Sequence, residues 1–90
     1  SDDFNVKLKE EFDKSLAHYR QVVSYMGGNV PIEVLCLPPR IEKALLSSGY
    51  DRVYDLIGKD LRKIKGIGKE SIDILASRLD EFLTVQTKYS

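Results

Sequence analysis

The sequence predicts an all-α fold, and three features carry that expectation. Apolar residues recur at three- and four-residue steps over two long stretches, 3–26 and 69–83. Nowhere do apolar and polar residues alternate with the period of two that marks a half-buried strand. Between the two stretches, prolines and glycines cut the chain into segments short enough for single helices or helical turns.

The first element is a long amphipathic helix over 3–26, with Phe4, Leu8, Phe12, Leu16, Tyr19, Val22, Val23 and Met26 as its apolar stripe. Asp2 and Asp3 suit its positive end, and Glu10 with Lys14 makes a favourable pair one turn apart. Gly27, Gly28 and Asn29 end it. At about 1.5 Å per residue it spans roughly 36 Å, longer than a small domain is wide, so part of the stripe is expected to reach beyond its own domain. The next stretch, "NVPIEVLCLPP", reads as a connector, because Pro31, Pro38 and Pro39 interrupt regular helix.

Pro39 then opens a helix to Ser48 with Ile41, Ala44, Leu45 and Leu46 as its apolar set and Gly49 as its stop. Asp51 is the expected cap of a short helix carrying Val53, Leu56 and Ile57, closed by Gly58. Residues 60–64 form one more helical turn. The last long helix presents Ile72, Leu75, Leu79, Phe82 and Leu83 to the core. The organisation expected is a long helix at 1–28, a connector at 29–38 and a compact helical domain at 39–86.

Composition narrows the function. A hydrophobic fraction of 42% and a charged fraction of 31% belong to an ordinary soluble chain, and 90 residues make one small domain. No apolar run approaches membrane-spanning length and no signal pattern opens the sequence, so a cytoplasmic protein without a membrane partner is expected. The start at Ser1 without methionine reads as a piece of a longer protein. Cys36 stands alone, which excludes an internal disulfide and a multi-cysteine zinc site; among apolar neighbours it reads as a small core filler. His18 is the single histidine and reads as a solvated helix residue, so no catalytic triad can be assembled around it. The acidic pairs Glu10-Glu11 and Asp80-Glu81 fall on charged helix faces. Tyr50 and Tyr54 suit a small core more than a base-stacking platform. No enzyme, cofactor or metal is expected.

Net charge is zero, so no global field points to a polyanion. Its distribution does. Within 59–69, Lys59, Arg62, Lys63, Lys65 and Lys69 face Asp60 alone. That cluster contains "LRKIKGIGKES", residues 61–71, with two glycines around one isoleucine. Leu61, Ile64, Ile67, Ile72 and Leu75 occupy core-facing positions on either side, so "GIG" forms a hairpin between helical arms. Gly66 and Gly68 permit positive φ or close backbone approach, and the backbone of Gly68, Lys69 and Glu70 offers N–H groups at a helix start. Such a corner either cradles a phosphate or is only a tight turn.

This spacing of apolar residues and glycines resembles the helix-hairpin-helix family of DNA-binding modules. More widely, "LCLPPRIEKALLSSGYDRVYDLIGKDLRKIKGIGKESIDIL", within residues 35–82, is similar to the C-terminal domain of the bacterial RNA polymerase α subunit. The resemblance implies five helices or helical turns. It also implies an arginine that opens the first helix and enters the minor groove of A/T-rich DNA, with a hairpin gripping the adjacent backbone. Arg40 matches that arginine, Gly68 the hairpin glycine, Lys69 a following lysine and Ser71 the serine after it. The chain departs from the pattern in four places, one of them a loop before Asp60 shorter than the family's. Lys43 stands where the family has asparagine, Glu70 stands where it has a second lysine, and the long first helix has no counterpart. The implied setting is a bacterial or phage-like relative rather than an α subunit.

Two expectations about function follow. In one, the chain is a non-catalytic DNA-binding module of a larger transcription or DNA-processing protein. Arg40 and Lys43 would meet one strand, and Lys65, Gly66, Gly68, Lys69 and Ser71 the other, with weak, salt-dependent affinity and an A/T preference. In the other, it is a protein-interaction or dimerisation module that uses the stripe from Phe4 to Met26.

Overall fold

A computed structural model describes the backbone of residues 2–26 and 30–89 and the side chains of 2–16 and 30–84. Among the described residues it holds three α-helices, α1 (Asp2–Met26), α2 (Pro39–Ser47) and α3 (Lys69–Tyr89). Three 3₁₀ turns, Ile32–Leu35, Val53–Leu56 and Leu61–Lys63, complete the architecture, and no strand occurs among those residues. The fold is all-α. Gly27, Gly28 and Asn29, and the side chains of His18, Tyr19, Val22, Val23 and Met26, lie outside the described residues.

Helix α1 begins with Asp2 and Asp3 in its first turn, where the helix dipole favours carboxylates. It packs along α3. Phe12 is fully buried and shares one core with Leu35, Leu75, Leu79 and Phe82, while Leu16 packs partly buried against that core. The charged pair expected at Glu10 and Lys14 is replaced. Lys9 pairs instead with Asp13 at 2.6 Å and reaches across to Glu81 of α3 at 2.9 Å. A lysine beside the seam can reach carboxylates on two helices at once, as Lys9 does.

The stretch read as a connector supplies a large share of the core. Val30, Ile32, Val34, Leu35 and Leu37 are all buried. Its backbone pairs with the segment after α2: Ile32 N–H donates to the Asp51 carbonyl at 3.0 Å and Val53 N–H to the Val30 carbonyl at 2.9 Å. Asp51 is therefore engaged through its backbone and does not cap the next turn. Arg52 occupies the cap position, and its N–H donates to the Asp55 carboxylate at 3.2 Å.

Helix α2 has Pro39 in its first turn and buries Ile41 and Leu45. Its end is a Schellman motif. Gly49 at φ 89° donates to Leu46 and Tyr50 donates to Leu45, which satisfies two of the last carbonyls. Helix α3 starts at Lys69, as its sequence pattern predicts, but continues six residues past Leu83 to Tyr89. On its inner face Arg78 is only 5% exposed. Its guanidinium donates to the carbonyls of Leu35 at 2.7 Å and Cys36 at 2.5 Å, and lies 5.1 Å from the Phe12 ring centre. One side chain thus ties α3, α1 and the 32–35 turn together. Cys36 sits half-buried in the left-handed region at φ 48°, and burial pushes its thiol pKa up, so it is a weak nucleophile.

Candidate nucleic-acid interface

The hairpin is built on Asp60. Its carboxylate accepts from the Arg62 backbone N–H at 3.1 Å and from the Arg62 side chain at 3.0 and 3.1 Å. These contacts hold its pKa below the usual aspartate value. A single 3₁₀ turn, Leu61–Lys63, follows, so the first arm is one turn long. Ile64 and Ile67 are buried, and Ile67 N–H donates to the Ile64 carbonyl at 3.3 Å. Gly68 then caps α3 through its carbonyl, which accepts from Ile72 N–H at 3.0 Å.

The two glycines have unlike roles. Gly66 sits at φ +90°, where a Cβ would be strained and would lie 3.3 Å from the Ala44 Cβ. Gly68 has no positive φ, and a Cβ there would meet nothing within 4 Å. The expectation that position 68 requires glycine is overturned; position 66 does. The consequence is positional. Gly66 and Ala44, both small, let the hairpin approach α2.

That approach brings distant cations together. Arg40 opens α2 and Lys43 follows one turn later on the same face, both exposed. Together with Ala44, Ser47, Ser48, Lys65 and Gly66 they line one groove of about 580 Å³. No carboxylate lines it. Among the described residues the ion pairs are Lys9 with Asp13 and Glu81, and Arg62 with Asp60, so Arg40, Lys43 and Lys65 have no carboxylate partner there. The nearest acid on α2 in sequence, Glu42, is partly exposed and does not line the groove; burial, and then the neighbouring Glu33 carboxylate, raise its pKa above the usual value.

Four of the seven residues expected at a DNA site, Arg40, Lys43, Lys65 and Gly66, therefore share a groove. Gly68, Lys69 and Ser71 do not line it. Gly68 and Lys69 are exposed at the start of α3, but Ser71 is only 6% exposed, so its hydroxyl is not presented to a ligand. Ser47 and Ser48 were not anticipated, although the helical spacing of 40, 43, 44 and 47 opposite the Ile41–Leu45 core face is visible in the sequence. Tyr50 is half-buried against the core, whereas Tyr54 is 38% exposed, so the core reading holds for one tyrosine of the two.

No protein-family model, curated protein or solved structure matches the chain. No helix is long and apolar enough to cross a membrane, and no three metal-binding side chains converge, among the described residues.

Proposed function

We propose that the chain is a non-catalytic DNA-binding module of a larger transcription or DNA-processing protein. It would meet the phosphate backbone and minor groove through the α2–hairpin groove. The observation that carries this reading is the convergence of Arg40, Lys43 and Lys65 on a groove without a carboxylate. The resemblance read in the sequence around Arg40 and Gly68, to the helix-hairpin-helix modules of RNA polymerase α subunits, is a second support for the reading.

Cations without partners in a shared groove repel one another, and a polyanion relieves that repulsion while releasing its own counterions. Arg40, planar and at a helix start, suits a narrow minor groove; Lys43 and Lys65 suit phosphates on either side. The serine hydroxyls at 47 and 48 add neutral donors for the backbone.

The test is a salt-series anisotropy titration of one A/T-rich and one G/C-rich duplex. Three cations brought onto the duplex, one in the minor groove and two at phosphates, predict a log–log salt slope of about −2.7, since each displaces counterions worth about −0.9. Arg40→Ala, Lys43→Ala and Lys65→Ala should each flatten the slope by about one contact. Arg40→Ala alone should also shrink any preference between the duplexes. Binding that ignores salt, or that survives all three substitutions together, would remove the proposal.

A further inference from the structure

A second groove, of about 590 Å³, lies between the start of α1 and the face of α3, and it shares no residue with the basic one. Val6, Pro38 and Ile74 line it with apolar surface, and Asp2, Glu10 and Asp73 line it with exposed carboxylates. Its two cations are engaged. Lys9 is held by Asp13 and Glu81, and Arg78 donates to the Leu35 and Cys36 carbonyls. None of the three lining carboxylates has an ion-pair partner among the described residues. Val6 is 55% exposed, so apolar area stands in water beside acids without counterions.

We propose that this groove docks a cationic amphipathic segment of a protein partner, with an apolar anchor against Val6 and Ile74 and lysines or arginines opposite Asp2, Glu10 and Asp73. Charge selects that occupant. DNA and anionic membranes are repelled by the same three carboxylates. A second copy docked groove to groove would bring two sets of these three carboxylates, none with an ion-pair partner among the described residues, into one interface. An open trough with exposed lining buries too little of a small molecule to hold it, whereas a helix laid along a groove gains from both its apolar stripe and its charged flanks. The chain would then carry two faces of opposite sign, one for a polyanion and one for a polycation.

The experiment is an amide-shift titration of the whole chain with two synthetic 16-residue peptides. Both carry leucines at helical spacing; one has lysine and the other glutamate at every polar position. The lysine peptide should saturate and move the amides of Val6, Lys9 and Ile74 while leaving Lys43 and Lys65 unmoved, and the glutamate peptide should leave the Val6–Ile74 set unmoved. Glu10→Lys with Asp73→Lys, both exposed positions, should weaken the lysine peptide at least about tenfold, because like charges then face each other. Val6→Ser should weaken it less without reversing the preference. The inference is overturned if the lysine peptide produces no saturable shift, if the glutamate peptide binds the same amides, or if the charge reversal has no effect. It is equally overturned if those amides shift with protein concentration alone, since the occupant would then be a second copy.

Discussion

The seam between α1 and α3 and the groove between α2 and the hairpin both carry cations, and the two regions treat them in opposite ways. In the seam each cation has its partners. Arg78 is buried on two carbonyls and an aromatic face, and Lys9 bridges two carboxylates. In the groove, Arg40, Lys43 and Lys65 are exposed and have no carboxylate partner among the described residues. Burial with satisfied hydrogen bonds makes a cation part of the scaffold. Convergence without a counterion leaves favourable interaction to be gained from a ligand. The contrast is thus between charge that holds the fold and charge that the fold holds out.

The largest effects should come from breaking the seam. Phe12→Ala empties a fully buried site and should cost about 3–5 kcal/mol. Arg78→Met keeps the stem but leaves the Leu35 and Cys36 carbonyls without their donor, for a loss of about 2–4 kcal/mol. Urea unfolding measures both. Duplex affinity of the folded fraction should stay as in the parent. An Arg78→Met protein of parental stability with lost DNA affinity would erase the division between the regions.

The hairpin glycines come next. Gly66→Ala forces a side chain into a positive-φ position beside Ala44 and should cost about 1–2 kcal/mol. It should also push Lys65 away from α2 and weaken duplex binding. Gly68→Ala removes chain entropy but gives up a tolerable cap, and the two nearly cancel, so stability should move by less than about 0.5 kcal/mol. Equal losses at both positions would mean that closeness to α2 is not what glycine provides here.

This pair also shows where sequence reading stops. Helical periodicity, Pro39 and Gly49 mark α2, and the start of α3 follows from Lys69 onward, because those signals are local. The positive φ at Gly66 rather than Gly68 depends on how the hairpin meets Ala44, which no local pattern encodes. Residues 30–37 read as a linker for the same reason. Their burial arises from backbone pairing with Asp51 and Val53, some twenty residues away. Arg78 looks like any surface cation of an amphipathic helix until Leu35 and Cys36 arrive beneath it. Arg40, Lys43, Lys65 and Gly66 were legible singly; that Arg40 and Lys65 meet, with Ser47 and Ser48 beside them, was not.

A smaller effect sharpens the view of the hairpin's far side. Glu70 is exposed in the first turn of α3 and does not line the groove. Glu70→Lys should raise duplex affinity by about 0.2–1 kcal/mol at low salt, a few-fold at most. The gain should fade near physiological ionic strength, where screening acts over about 8 Å. Stability should drop by a few tenths of a kcal/mol, because lysine opposes the dipole that glutamate complements. A gain that persists at physiological salt would place Glu70 against the phosphate and widen the interface to the start of α3.

The smallest effect tests whether the groove contains its own counterion. Glu42 lies between Arg40 and Lys43 in sequence, yet it pairs with neither among the described residues and does not line the groove. Burial, and then Glu33, raise its carboxyl above the ordinary value of 4.5. The folded state therefore binds this proton more tightly than the unfolded chain does. The ionised carboxylate lowers stability above the folded pKa, and that penalty fades as pH falls through the folded value toward 4.5. Glu42→Gln removes the penalty, so the variant should be the more stable at pH 7. The difference should be at most a few tenths of a kcal/mol, because the site is largely open to solvent screening. Urea midpoints of the two proteins should converge near pH 4, where glutamate is protonated in both states. The opposite sign, with the variant weaker at pH 7, would mean that a favourable term outweighs burial: the dipole of α2, whose first turn holds Glu42, or a cation. A loss that disappears when Arg40 or Lys43 is replaced by alanine would assign it to that cation, and the contrast between the seam and the groove would collapse.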